Sequence, residues 1–188
     1  ALEIGCGTGM MLEALRQRGW RVTGIERAES MAAFARKNLG LDVLSGGLDK
    51  LPPEVTFDLI ILFQVLEHLA DPLEVLQECR RRLNPGGILV ISVPNFSSWQ
   101  ARFGGPVWLH LDPPRHLFHF SPASLGKLMK RVGMEILEVG FVSVEHDPYG
   151  WVESAINRIT GGYNILTRFL MGLEPFNRRV FLSCFLAV

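Results

Sequence analysis

The chain has 188 residues, 48% of them hydrophobic and 20% charged, which is the balance of a globular protein rather than a disordered one. Its 19 basic and 19 acidic residues cancel, so the net charge offers no general attraction to nucleic acid or to an anionic membrane. Three widely separated cysteines are typical of free thiols in a reducing compartment, which favours a cytoplasmic location. No uncharged apolar run reaches the roughly 18 residues of a membrane span.

The first residues already belong to an apolar, strand-like run, residues 1–4, which is too short to anchor the centre of a sheet. We therefore expect the native protein to extend upstream of residue 1. Further strand-like runs cover residues 20–26, 41–44, 57–64, 88–93, 134–144 and 178–188. Helical spacing covers residues 10–18, 30–39, 71–83 and 121–132.

Strands that alternate with helices predict a doubly wound, parallel α/β sheet. The runs at 57–64 and 88–93 are apolar throughout, which is expected of strands buried on both faces of a parallel sheet.

Residues 151–175 break this alternation with two apolar stripes at helical spacing, one on each side of Gly161-Gly162. The stripes consist of Trp151, Val152, Ala155, Ile156 and Ile159, and of Leu166, Phe169, Leu170 and Leu173. Two surface helices packed on the core are the simplest interpretation; a substrate lid, a dimer surface and a shallow membrane contact are the alternatives. We expect one domain, 1–188, with a helical hairpin at 151–175 inserted between strands six and seven.

The stretch "LEIGCGTG" places three alternating glycines, Gly5, Gly7 and Gly9, between the first strand and the first helix. Such a turn lets a ligand lie against the backbone, with the helix N-terminus pointing at it. A tight turn that only needs positive φ is the alternative, but it requires fewer glycines. In the dinucleotide fingerprint G-x-G-x-x-G the third glycine comes one residue later than it does here.

Two acidic residues narrow the choice of ligand. Glu26 ends the second strand, where a carboxylate can accept hydrogen bonds from two ribose hydroxyls. Glu3 precedes the first glycine by two residues, and a buried carboxylate there would repel a pyrophosphate but attract an ammonium or sulfonium group. A cationic ligand without phosphate is therefore favoured over a nicotinamide dinucleotide.

At these residues the chain resembles the class I S-adenosylmethionine-dependent methyltransferases, whose first motif is [DE]-x-G-x-G-x-G. The resemblance continues through "SGGLDKLP", "FDLIILFQVLEHLADP" and "LNPGGILVISVPN". The stretch "PPRHLFHFSPASLGKLMKRVGMEILEV" is similar to the subgroup that methylates small molecules, including ubiquinone-type O-methyltransferases. Only 151–175 falls outside the match.

The resemblance implies a Rossmann-like sheet of seven strands in the order 3-2-1-4-5-7-6, with the last strand antiparallel and an N-terminal helix missing ahead of residue 1. It also implies S-adenosyl-L-methionine as cofactor and S-adenosyl-L-homocysteine as product. The implied cofactor-binding residues are Glu3, Gly5, Cys6, Gly7, Gly9, Glu26, Arg27, Gly47, Leu48, Phe63 and Gln64. The family often has an aspartate beside the adenine where this chain has glycine, so the backbone of Gly47 and Leu48, or Asp49, would serve instead.

Methyl transfer to a hydroxyl needs a base that removes its proton, and histidine suits neutral pH. His116 is our first candidate, ahead of His68 and His110, and a structural role is the alternative for each. Two further residues, Arg115 and Trp108, are expected to bind the acceptor. Arg115 would bind an anionic group of the acceptor, and Trp108 would form an apolar wall beside it. No metal is expected.

The predicted function is transfer of a methyl group to a small-molecule acceptor, most simply at oxygen. A non-catalytic cofactor-binding protein of the same fold and an NAD-type oxidoreductase are the alternatives. We expect no nucleic-acid partner and no integral membrane segment; a peripheral membrane contact and a homodimer are left open.

Overall fold

The computed structural model describes residues 1–141 and 147–160. They belong to two compact units. The first unit contains Ala1–Val93 and Lys127–Met134. The second contains Pro94–Gly126 and, of the described residues, 135–141 and 147–160.

A parallel sheet of five strands forms the first unit, in the order β3-β2-β1-β4-β5. The strands are β1 (Leu2–Ile4), β2 (Thr23–Glu26), β3 (Val43–Ser45), β4 (Phe57–Phe63) and β5 (Leu83–Ser92). The helices between them are α1 (Met10–Gln17), α2 (Glu29–Leu39) and α3 (Pro72–Arg82). This alternation confirms the doubly wound, Rossmann-like fold class and the order 3-2-1-4-5.

The core of this unit lies on both sides of β1 and β4. Leu2, Ile60 and Leu62 are fully buried. On the side of α1 and α2, a cluster of buried apolar side chains fills the space against the sheet: Cys6, Leu12, Ala32, Ala35, Leu41 and Val43. The carboxylate of Asp71 caps α3 by accepting a hydrogen bond from the backbone N–H of Glu74 at 2.9 Å.

Two strands of the sheet differ from their predicted form. β2 begins at Thr23 rather than at Trp20, whose side chain is 39% exposed. β5 was expected to be buried on both faces, yet Ile88 is 48% exposed. The physical reason is position, because β5 pairs with β4 alone and is an edge strand of the described sheet.

The predicted sixth and seventh strands are not seen in the described part of the chain. Residues 134–141, the described part of the sixth, form no strand. The remainder of that strand and all of 178–188 lie outside the described residues, as do 161–175 of the predicted helical hairpin.

The second unit contains helices and short 3₁₀ turns. Its helices are α4 (Trp99–Gly104), α5 (Pro122–Val132) and α6 (Asp147–Thr160), and α5 ends within the first unit. Two turns, Gly105–Val107 and Leu109–Leu111, lead from α4 toward His116. Among the described residues, no helix combines the length and the apolar character needed to span a bilayer.

The packing of α6 is the reverse of the expected one. Three residues of the predicted apolar stripe face solvent, with Trp151 41%, Val152 51% and Ile159 86% exposed. The opposite side of the helix carries Glu153 and Asn157, and both are fully buried. Buried polar groups therefore contribute to the packing of α6 within its unit.

Candidate functional site

The glycine loop joins the carboxyl end of β1 to the first turn of α1. Gly5, Gly7 and Gly9 all adopt positive φ, at 72°, 54° and 82°. The loop is fixed to the neighbouring strand because the N–H groups of Gly5 and Cys6 both donate to the carbonyl of Ile25, at 2.7 and 3.1 Å.

The outer two glycines of the loop differ from the middle one. A Cβ on Gly5 would come within 2.5 Å of Val65, and one on Gly9 within 2.5 Å of Leu41, so packing leaves no room for a side chain at either position. Among the described residues, a Cβ on Gly7 would meet nothing within 4 Å. The middle of the loop is therefore an open cradle against bare backbone, which a ligand can occupy.

Glu26, at the end of β2, lies across this loop. One carboxylate oxygen accepts a hydrogen bond from Gly7 N–H and the other from Ala28 N–H, each at 2.8 Å. A carboxylate offers about four acceptor sites, so two remain for ligand hydroxyls. Arg27 follows on the exposed side of the same turn.

Glu3 and Cys6 are buried below the loop. Glu3 is 5% exposed, and within the described part of the chain its Oε2 has no hydrogen-bond partner. Burial raises the pKa of Glu3 to about 8, so the carboxyl group is largely protonated at neutral pH. Burial also raises the pKa of the Cys6 thiol to about 12, which makes Cys6 a packing residue rather than a nucleophile.

The other predicted contact residues follow β3 and β4 at the same edge of the sheet. Gly47 precedes a short 3₁₀ turn, Leu48–Lys50, and Asp49 Oδ1 lies 2.9 Å from where a Cβ of Gly47 would stand. Gln64 follows Phe63 in a left-handed conformation with φ 54°, and its N–H donates to Ser92 O at 2.9 Å. Since carboxyl ends of parallel strands meet at one edge, the first unit brings all of these residues together.

The turn after β4 contains a residue that sequence reasoning missed. Glu67 is 1% exposed, and among the described residues neither carboxylate oxygen has a hydrogen-bond partner. Burial raises its pKa above the usual value. His68, which was a candidate base, is exposed on the same turn. The signal that could have found Glu67 is an acid directly after a buried strand in "VLEHL".

The ring nitrogens of His116 lie near two residues of the second unit. Its Nδ1 lies 2.7 Å from the carbonyl oxygen of His110, and its Nε2 lies 3.8 Å from Asp112 Oδ2. A carbonyl can only accept, so the Nδ1–H donates to it, and Nε2 is the acceptor of the ring in its neutral form. This tautomer is the one that a base acting through Nε2 requires.

Asp112 organises the turn that presents His116. It adopts a left-handed φ of 38°, and its carbonyl accepts from the N–H groups of Arg115 and His116 at 2.9 and 3.1 Å. Its carboxylate also pairs with the guanidinium of Arg115 at 2.7 Å. Arg115 itself is 71% exposed.

Trp108 occupies the core of the second unit and not an exposed wall. It is 1% exposed, and its indole N–H donates to Gln100 Oε1 at 2.8 Å. The rings of His110 and Phe96 pack against it with centroids 5.3 and 6.2 Å away. Phe118, in the same segment, is 38% exposed.

Residues 1–139 match the family described as "Methyltransferase domain". The chain belongs to the class I S-adenosylmethionine-dependent methyltransferases. A relative in Mycolicibacterium smegmatis, "Probable S-adenosylmethionine-dependent methyltransferase", is 32% identical over 137 residues, covering 72% of this chain and 51% of the relative. The chain thus spans about half of that relative's length.

Two further proteins resemble this methyltransferase. The "Ubiquinone biosynthesis O-methyltransferase" of Pseudomonas aeruginosa is 28% identical over 180 residues, covering 89% of this chain and 77% of the relative. A Thermotoga maritima crystal structure, described as a "possible histamine N-methyltransferase", has a TM-score of 0.59 and 30% identity. It covers 72% of this chain and 63% of that chain.

The residues of the first unit fit the family's cofactor, S-adenosyl-L-methionine. The open side of Gly7 leaves room for it against the loop, and Glu26 keeps acceptor sites for its ribose hydroxyls. Oε2 of Glu3, which has no hydrogen-bond partner among the described residues, suits a cationic group, which would shift that carboxyl group toward its charged form.

Proposed function

We propose that the whole protein transfers the S-methyl group of S-adenosyl-L-methionine to an oxygen of a small-molecule acceptor. The name of the Pseudomonas relative, an O-methyltransferase, supports oxygen as the target. The Thermotoga structure bears the name of an N-methyltransferase, so an amine acceptor is the second candidate. A cytoplasmic location and a homodimer stay predictions.

The cofactor in this proposal lies along the sheet edge of the first unit. Glu26 accepts hydrogen bonds from the ribose hydroxyls, Gly7 gives room to the amino-acid portion, and the backbone of Gly47 and Leu48 contacts the adenine. When bound, the cofactor supplies an electrophilic methyl group on a sulfonium, whose thioether leaving group needs no proton. The protein therefore contributes alignment, exclusion of water and removal of the acceptor's proton.

The single observation that supports oxygen as the acceptor atom is the ring orientation of His116. A hydroxyl becomes a good nucleophile only as its proton leaves, and Nε2 of His116 offers a lone pair fixed in direction. The Asp112 carboxylate, 3.8 Å from that nitrogen, stabilises the imidazolium once the proton has arrived. Arg115, which is 71% exposed, would orient an anionic group of the acceptor through its guanidinium.

The proposal is tested by supplying S-adenosylmethionine with a labelled methyl group and a cell extract, then identifying the labelled product by mass spectrometry. An O-methyl product is expected, and an N-methyl product would favour the amine alternative.

With the acceptor identified, His116→Ala should lower turnover by roughly 10²- to 10⁴-fold, the usual loss for a general base. Binding of S-adenosylhomocysteine, measured by calorimetry, should stay unchanged. His119→Ala is the matched control, because His119 lies in the same segment with its Nε2 3.1 Å from the carbonyl of Leu111. Normal turnover by His116→Ala would show that His116 only packs.

A further inference from the structure

The buried face of α6 is polar although the helix has an apolar stripe available. Glu153, Ser154 and Asn157 are all fully buried. Burial of such groups is unfavourable unless each finds hydrogen bonds. The hydrogen-bond partners of these side chains therefore indicate which part of the second unit α6 stabilises.

Two of the partners are backbone groups on either side of Trp108. Asn157 Nδ2 donates to the carbonyl of Val107 at 3.2 Å, and the N–H of Leu109 donates to Ser154 Oγ at 3.3 Å. The same stretch is held from α4 through Gln100, which accepts from the Trp108 indole. α6 comes so close to Gln100 that a Cβ on Gly150 would stand 2.6 Å from its Nε2.

The next residue in the chain is His110, whose carbonyl oxygen lies 2.7 Å from His116 Nδ1. A short series of polar contacts thus runs from α6 through 107–109 to the base. We infer that Ser154 and Asn157 are positioning residues, which fix the His110 carbonyl and through it the ring orientation of His116. This inference rests on the proposed role of His116.

The exposed face of α6 supplies a matched control. Val152 and Ile159 lie on the same helix but are 51% and 86% exposed, so they have no part in this series of contacts. Substitutions there change the helix without touching 107–109. An effect confined to the polar face separates positioning from general damage to α6.

The test compares the full chain with S154A, N157L and the control I159S, using ¹⁵N NMR of the His116 ring. In the wild type and in I159S the Nδ1–H tautomer should dominate. In S154A and N157L the ring should become a mixture of tautomers, because its carbonyl acceptor is no longer fixed. Amide exchange at 107–110 should also become at least about tenfold faster in these two variants.

Two further measurements complete the test. S-adenosylhomocysteine should bind all four proteins equally, and with the identified acceptor S154A and N157L should lose kcat while KM for S-adenosylmethionine is kept. A wild-type His116 ring signal in both S154A and N157L would overturn the inference. If His116→Ala proves fully active, the proposed base fails, and the tautomer measurement still decides whether α6 orients the ring.

Discussion

At Glu3 a carboxyl group is buried beside the loop that would receive a cation. Burial raises its pKa from 4.5 to about 8, so the folded protein binds a proton there that the unfolded chain releases. The stabilisation that this raised pKa gives the folded protein is complete below pH 4.5 and is lost as the pH rises through about 8. The free energy of unfolding of the unliganded protein should therefore fall across this window, and less steeply in Glu3→Gln; denaturant titrations at several pH values measure both.

Binding of a ligand that carries an ammonium group should show the opposite pH dependence. Because that group favours the ionised form of Glu3, affinity for S-adenosylhomocysteine, whose amino-acid portion carries an ammonium, should rise between pH 6.5 and 8, by up to about tenfold per pH unit. Glu3→Gln should remove most of that rise, and Glu29→Gln, an exposed acid on α2, should keep it. Calorimetric titrations across this pH range measure the effect, and identical pH profiles for wild type and Glu3→Gln would contradict the assignment.

Among the elements, the loop before β4 is held by a buried cation at the end of α3. Arg82 is 3% exposed and donates to the carbonyls of Pro52 and Val55 at 2.8 and 3.2 Å. It also pairs with Glu78 at 2.6 Å. Removing the guanidinium leaves these acceptors without a partner, and apolar packing cannot replace it.

Arg82→Met should therefore lower the free energy of unfolding by about 2–4 kcal/mol. Arg81→Met is the matched control, because Arg81 also pairs with Glu78 at 2.6 Å but is 52% exposed, and its loss of stability should be much smaller because water screens the pair. Urea denaturation measures both variants. Equal losses would show that the buried contacts of Arg82 carry no special stability.

Acid should weaken the ion pairs that Glu78 forms with Arg81 and Arg82. Hydrogen bonds from Arg81 and then Arg82 lower the pKa of Glu78 to about 2. Its stabilising effect is present above the unfolded value of 4.5 and is lost as the pH falls through about 2. Glu78→Gln should accordingly flatten the loss of stability in this acid range, which thermal melts at pH 5, 4 and 3 would show.

Across the whole molecule, the sequence was sufficient for the fold class and insufficient for α6. Continuous apolar strands and the glycines after β1 belong to one local pattern, so the parallel α/β class and the position of the loop could be predicted, while the order of the five strands followed from the family resemblance. The exposed Ile88 could not, because a strand's own residues do not record that it lies at an edge. Nor could the buried Asn157, since its partner is a backbone carbonyl 50 residues away.

The residues of the candidate site also differ in whether the sequence alone could predict their surroundings. The positions of Gly7 and Glu26 at the loop could be predicted because they follow from residue type and from position at a strand end, and their roles toward the cofactor stay predictions. Glu67 was missed because its burial depends on tertiary packing, and Trp108 was expected at a wall because an aromatic side chain in a loop gives no sign of its burial. The carbonyl of His110 that orients His116 has no sequence signature.

In the proposed complex the open side of Gly7 receives the cofactor. Calorimetry, which measures the affinity for S-adenosylhomocysteine, tests this placement. Gly7→Val is compared with Gly19→Val, because both glycines have positive φ, at 54° and 89°, and nothing within 4 Å of a Cβ. The backbone strain of the two variants is therefore similar, and only the ligand distinguishes them. We expect Gly19→Val to bind as the wild type does and Gly7→Val to lose binding while its far-ultraviolet circular dichroism remains native. Wild-type affinity in a folded Gly7→Val protein would contradict the account.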